Sequence, residues 1–135
     1  MSEPSHPDPN DLTGIWDGLF KQPDTGRHVP FTATLIETGN LVTGSTHEPC
    51  ILPVCPRKTH YATLSGRRAG LAVSFVKTYD PPGFGYDIVS YRGTLNGDAT
   101  EIFGTWSIAL LTGEFLMVRA GRKAAERVKK RLATA

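Results

Sequence analysis

Four side chains of the kinds that bind metals fall close together in one proline-rich stretch. They are His47, Cys50, Cys55 and His60, in the pattern His-x2-Cys-x4-Cys-x4-His. Imidazole and thiolate groups are typical ligands of tetrahedral zinc. The spacing matches no common zinc module, however, and the three intervening prolines restrict how the ligands converge. We therefore predict no metal or other cofactor and two free thiols, with zinc binding or a Cys50–Cys55 disulfide as the alternatives.

A second group of residues has the chemistry for proton transfer. Its members are Lys77, Tyr79, Asp87, Arg92 and Glu101. Asp87 is the main catalytic candidate, because strand alternation places it on the same face as Tyr91, near a cavity mouth. A carboxylate beside an apolar pocket can have a raised pKa and shuttle protons. The competing interpretation, which we favour, is a rim charge paired with Lys77 or Arg92.

Short alternating segments must position these residues. Roughly eight of them follow one another at intervals of about ten residues, as in all-β barrels. Asn96-Gly97 and Gly39-Asn40 are typical of tight hairpins. Gly14-Ile15-Trp16 and Gly104-Thr105-Trp106 form two similar strand starts, one near each end of the series. The pattern predicts an all-β fold, an eight-stranded antiparallel up-and-down β-barrel in which the first and last strands meet.

Three regions are expected along the chain. Residues 1–11 are rich in proline and polar groups and are predicted to be a flexible leader. Residues 12–120 form the barrel domain, interrupted by a long loop over 48–59. Residues 121–135 are predicted to form a short basic amphipathic helix, since Ala125, Val128 and Leu132 recur at helical spacing.

Composition narrows the classes of partner and compartment. The net charge is +2, and the basic residues concentrate in the predicted C-terminal helix, which has no aromatic residue to stack on bases. Nucleic acid is therefore not the expected partner. No apolar run approaches the roughly 18 residues that span a bilayer, and no secretory signal is recognisable, so we expect a cytoplasmic protein without a membrane partner.

The ordered motifs resemble the small barrels of the avidin/streptavidin type, within the wider lipocalin-like group. The resemblance runs from about Leu12 to Arg119. Its pieces are Leu12-Thr13-Gly14-Ile15-Trp16, Thr43-Gly44-Ser45, Leu64-Ser65-Gly66, Val73 to Tyr79, Tyr91-Arg92-Gly93 and Gly104-Thr105-Trp106. It implies a barrel with a cavity at one mouth, and association into a homodimer or a larger homo-oligomer.

The resemblance also implies an aromatic-walled pocket. Phe75, Tyr91 and Trp106 match the rings that surround biotin in that family, and alternation adds Phe31 and Val89 to the inward faces. The residues that hold the biotin head would fall near Gly18, Thr46 and Glu48. Those three cannot make the same hydrogen bonds, and each bond left open costs about 1–3 kcal/mol. We therefore predict that the chain does not bind biotin.

Three functions remain open from the sequence. The leading hypothesis is a small-molecule binding protein that holds an apolar or aromatic ligand inside the barrel. The second is a barrel enzyme that catalyses a cyclisation or an isomerisation through shape and one acid–base residue, by analogy with allene-oxide-cyclase-like barrels. The third is a structural or interaction module whose barrel is filled with side chains.

Overall fold

The described residues form one closed antiparallel β-barrel. The computed structural model describes residues 11–23, 25–49, 59–80, 88–109 and 111–120. The strands are β1 (Gly14–Lys21), β2 (His28–Thr38), β3 (Leu41–Pro49), β4 (Thr59–Ala69), β5 (Ala72–Asp80), β6 (Ile88–Leu95), β7 (Glu101–Ile108) and β8 (Leu111–Arg119). Each strand pairs with the next, and β1 pairs with β8. The predicted eight-stranded antiparallel barrel is thus confirmed.

Two predicted regions cannot be compared with this fold. The predicted C-terminal helix lies outside the described residues, as does all of the predicted leader except Asp11. Within the described ranges there is no helix of the length and apolar character that crossing a bilayer requires.

Alternation along the strands separates the barrel interior from its outer wall. In β5 the side chains of Val73, Phe75, Lys77 and Tyr79 are buried, and the residues between them are exposed or partly exposed. The same period of two runs along β2 and β4. Because successive strand side chains point to opposite faces, each strand contributes one row of residues to a common core.

One end of the barrel is closed by a tryptophan. Trp16 is fully buried, and its ring nitrogen donates to the Leu12 carbonyl oxygen at 2.9 Å. The Arg119 guanidinium lies 4.6 Å from the centre of that ring and donates to the carbonyl oxygens of Ala99 and Asp11. These contacts fasten the start of the barrel to the end of its last strand.

The opposite end is more extensive than the sequence predicts. β3 continues through Glu48 to Pro49, and β4 begins at Thr59, so the strands take up both ends of the predicted 48–59 loop. Pairing of Glu48 with His60 extends the ladder to the proline, where the missing N–H costs least. At the other end, beside Leu12, β4 continues beyond Gly66 to Ala69. The absent side chain of Gly66 lets the β5 backbone approach, since a Cβ atom there would lie 2.0 Å from the Ser74 carbonyl oxygen.

Candidate functional site

The five predicted ligand-binding side chains are all buried inside the barrel. They are Phe31, Phe75, Val89, Tyr91 and Trp106, each at most 6% exposed. They come from β2, β5, β6 and β7, and so surround the interior from several sides. Their placement follows from the alternation, while their contact with a ligand remains a prediction.

The aromatic rings form two contacting groups. Phe75 stacks on Tyr91 with ring centres 4.9 Å apart, and Phe115 meets the Tyr91 ring edge-on at 4.9 Å. Trp106 meets Phe20 edge-on at 6.1 Å, and its indole nitrogen donates to the Lys21 carbonyl oxygen at 3.2 Å. The offset and edge-on geometries are those that aromatic quadrupoles favour.

Two glycines determine how closely the Phe31 and Trp106 rings approach the backbone. A Cβ atom on Gly18 would lie 2.3 Å from the Phe31 ring, and one on Gly113 would lie 2.6 Å from the Trp106 ring. Each ring therefore lies close to backbone that only glycine leaves uncovered. The close approach fixes where Phe31 and Trp106 stand within the interior.

A buried ion pair lies among these rings. The Lys77 ammonium group donates to the Glu48 carboxylate, and the two side chains are 1% and 3% exposed. The Tyr79 hydroxyl donates to the same carboxylate oxygen at 2.9 Å, and the Tyr91 hydroxyl oxygen lies 3.5 Å from the Lys77 nitrogen. Glu48 comes from β3, Lys77 and Tyr79 from β5, and Tyr91 from β6.

Aromatic rings surround the Lys77 nitrogen. Its distances to the ring centres are 4.8 Å for Tyr79, 5.1 Å for Phe31, 5.3 Å for Phe20 and 5.7 Å for Tyr91. Ring faces at such distances attract a cation, and more strongly when water is excluded. We call these four rings the aromatic cage. Lys77 itself occupies it.

Burial and charge act together on the ionisable groups here. Burial by itself would lower the pKa of Lys77, but Tyr91, the Glu48 carboxylate and Tyr79 outweigh it and raise that pKa. Burial also raises the pKa of the Tyr79 and Tyr91 hydroxyls, against the opposing effect of the Lys77 charge. The site therefore holds an ammonium ion beside two protonated phenols at neutral pH.

One polar atom in this part of the interior has no partner. Thr46 is 3% exposed, and its hydroxyl makes no hydrogen bond to the part of the chain that the structure describes. It lies two residues before Glu48 on β3, on the same inward face. Its cross-strand neighbours are Ala33 and Ala62, whose side chains end at Cβ. Buried hydroxyls without partners are rare in proteins.

The histidines of the zinc alternative point to opposite sides of the wall. His47 is exposed, whereas His60 is buried with its ring 5.1 Å from that of Tyr79. The two imidazoles therefore do not converge. Cys50 and Cys55 lie outside the described residues, and no group of three metal-binding side chains occurs within them.

The acid–base candidates are distributed unequally. Lys77 and Tyr79 are in the interior, Arg92 is exposed on the outer wall, and Glu101 begins β7 at the Trp16 end. Asp87 lies outside the described residues.

The partner of Lys77 was missed by sequence reasoning. The prolines that follow Glu48 predict a loop there, yet Glu48 continues the alternation of β3, in which Val42 and Thr46 are also buried. Its even spacing from those two residues is the signal that places it on the inner face.

Sequence comparison with known proteins does not assign the chain to a family. No protein-family model matches the chain, and no curated protein matches it in sequence. The case for a function therefore depends on the residues themselves.

Proposed function

We propose that the barrel is a small-molecule binding protein, whose apolar or aromatic ligand lies inside the end that carries Glu48 and Tyr79. The observation that carries this proposal is the polar cluster of Lys77, Glu48 and Tyr79 enclosed by aromatic rings. Biotin is not the proposed ligand, because Gly18, Thr46 and Glu48 do not together reproduce the hydrogen bonds that hold its head group in avidin-like barrels.

The composition of the cluster supports binding over a purely structural role. Replacing a buried ion pair by apolar residues of similar size is often neutral or stabilising, so packing alone gives weak reason to keep one. Ligand sites, in contrast, combine mostly apolar walls with a few converging polar groups. The interior around Lys77 has that combination, with Phe20, Phe31 and Tyr91 as walls.

The test compares adjacent residues that face opposite sides of one strand. Ala62 is buried inside the barrel and Thr63 is exposed outside it. N-phenyl-1-naphthylamine, a neutral dye that fluoresces in apolar surroundings, serves as the probe. We expect saturable binding by the unmodified chain, a loss of at least tenfold in affinity for Ala62→Leu, and no change for Thr63→Leu.

A thermal melt accompanies each variant, because overfilling a packed interior costs about 1–3 kcal/mol. If Ala62→Leu does not fold, Ala62→Val makes the same test with a smaller group. Equal dye binding by the inward and outward variants would contradict the proposal, as would no saturable binding by the unmodified chain.

The second candidate function is the isomerisation or cyclisation of a ligand held at the same place. Ionisable groups buried together in one cleft are common in active sites. Here Glu48 and Lys77 are in contact, and Tyr79 and Tyr91 adjoin them. Ketones are screened for displacement of the bound dye, and any ketone that displaces it is incubated with the protein in D2O. Deuterium uptake beside its carbonyl group, abolished in Glu48→Gln with binding retained, would favour the enzyme. Uptake equal to the rate without protein would exclude it.

We also propose that the chain is cytoplasmic, as expected from its sequence. Its resemblance to avidin-like barrels implies, in addition, that it associates into a dimer or a larger oligomer. Light scattering coupled to size exclusion measures the mass directly. A monomer at all concentrations would contradict the association.

A further inference from the structure

The end of the barrel that carries Glu48 and Tyr79 contains one buried positive charge and one buried negative charge, which neutralise each other. The Lys77 ammonium group has the Glu48 carboxylate as its partner, and both are almost completely buried. A ligand carboxylate beside Thr46 would face the charge of Glu48 two residues away. A ligand ammonium would meet the charge of Lys77, whose aromatic cage is taken. Bringing an uncompensated ion into such an interior is costly.

Among the described residues, the buried side-chain polar group that has no hydrogen-bond partner is neutral. The Thr46 hydroxyl is buried without a partner among the described residues, so it can both donate and accept. Ala33 and Ala62 flank it across the neighbouring strands and bring no polar atom of their own in their side chains. A site that leaves one buried hydroxyl open rejects ligands that cannot satisfy it.

The inner surface nearby favours a flat ring. Tyr79 is the cross-strand neighbour of Ala62, and Phe31 is the cross-strand neighbour of Gly18. The Phe31 and Tyr79 rings both lie about the Lys77 nitrogen, at 5.1 Å and 4.8 Å. Because Lys77 already covers one face of each ring, a planar ligand would meet these rings edge-on.

We propose that the ligand is an uncharged ring compound with one hydroxyl or carbonyl oxygen, and that this oxygen hydrogen-bonds to Thr46. The inference rests on the proposed function and specifies its ligand class. Thr46 provides the discrimination between polar and apolar rings, while the Lys77–Glu48 pair excludes ligands of either charge.

Four naphthalene derivatives test this by calorimetry at pH 7. They are naphthalene, 2-naphthol, 2-naphthoate and 2-naphthylmethylammonium, which share one ring system and differ in charge and polarity. We expect 2-naphthol to bind about tenfold more tightly than naphthalene, the value of one good hydrogen bond. Both ions should bind at least tenfold more weakly than 2-naphthol.

Variants assign the preference to Thr46. Thr46→Val removes the hydroxyl and keeps the shape, so it should bind 2-naphthol and naphthalene equally. Thr46→Ser retains the hydroxyl and should keep the preference. Thr63→Val makes the same change on the outer wall and should leave every affinity unaltered.

The outcomes separate this inference from the proposed function. A 2-naphthol preference that survives in Thr46→Val overturns the inference, as does tightest binding of either ion. If naphthalene binds and Ala62→Leu abolishes that binding with no dependence on Thr46, the proposed function stands and the inference fails. Absence of binding by all four compounds contradicts both.

Discussion

Removing one member of the Lys77–Glu48 pair should destabilise the barrel far more than removing both. The two side chains are 1% and 3% exposed, so neither charge can turn to water without opening the barrel wall. In Glu48→Met the ammonium group keeps its rings but loses its carboxylate. An uncompensated buried charge of this kind typically costs about 3–5 kcal/mol.

Replacement of both residues removes the charge and its partner together. In Lys77→Met/Glu48→Met the interior becomes apolar, with side chains of similar length. Such replacements are often neutral or stabilising. The expected free energy of unfolding of the double variant therefore lies within about 1 kcal/mol of the unmodified protein, or above it. In this variant the Tyr79 hydroxyl loses the Glu48 oxygen to which it donates, and this loss limits any increase in the free energy of unfolding.

Urea unfolding, followed by tryptophan fluorescence, measures the free energy of unfolding of the unmodified protein, Glu48→Met, Lys77→Met and the double variant. A loss of 3–5 kcal/mol corresponds to a fall of about 10–20 °C in melting temperature for a chain of this size. Glu114→Met is the matched control, since Glu114 is exposed on β8 and its loss should change the stability by less than about 0.5 kcal/mol. A cost for Glu48→Met no larger than that of the control would contradict the expected penalty of an unpaired buried charge. So would a double variant whose loss equals the sum of the losses in Glu48→Met and Lys77→Met.

Three further predictions concern other parts of the same interior. Thr46→Val should raise the free energy of unfolding by about 1 kcal/mol, because it removes an unpaired buried hydroxyl, whereas Thr63→Val should not; equal effects would contradict this. Stability should fall as the pH rises above about 10, since the pKa values of Tyr79 and Tyr91 are raised and only the unfolded chain releases those protons there, at up to about 1.4 kcal/mol per group per pH unit. Absorbance at 295 nm should show both phenols ionising only as the protein unfolds, and earlier ionisation would count against their burial. Arg119→Lys keeps the charge but loses the planar fork that bonds several carbonyl oxygens, and should cost about 2 kcal/mol in urea unfolding; a loss below 0.5 kcal/mol would mean that these contacts do not fasten the barrel.

The barrel was predictable from the sequence because its signals are local. Alternation specifies which side chains of a strand share a face, and hairpin residues specify antiparallel neighbours. Those two rules place Phe75, Lys77 and Tyr91 on inward faces without reference to the rest of the chain, and the structure confirms their burial.

The candidate site was less predictable because its contacts are distant in sequence. Glu48 and Lys77 are separated by 29 positions, and Glu48 and Tyr79 by 31. Which carboxylate meets which ammonium depends on strand register and barrel closure. The prolines after Glu48 also indicated a loop, although pairing with β4 carries the strand to Pro49. The open hydroxyl of Thr46 has no sequence signature, since it is defined by what its neighbours lack.

The most direct test of the account is to locate a bound probe by NMR. The protein is labelled with 15N and 13C, and spectra are recorded as N-phenyl-1-naphthylamine is added. Binding inside the barrel predicts saturable shifts and probe-to-protein nuclear Overhauser effects at inward residues, Thr46, Ala62 and Tyr79 among them. Effects confined to exposed residues of the outer wall, such as Ile15 and Ile88, would contradict it.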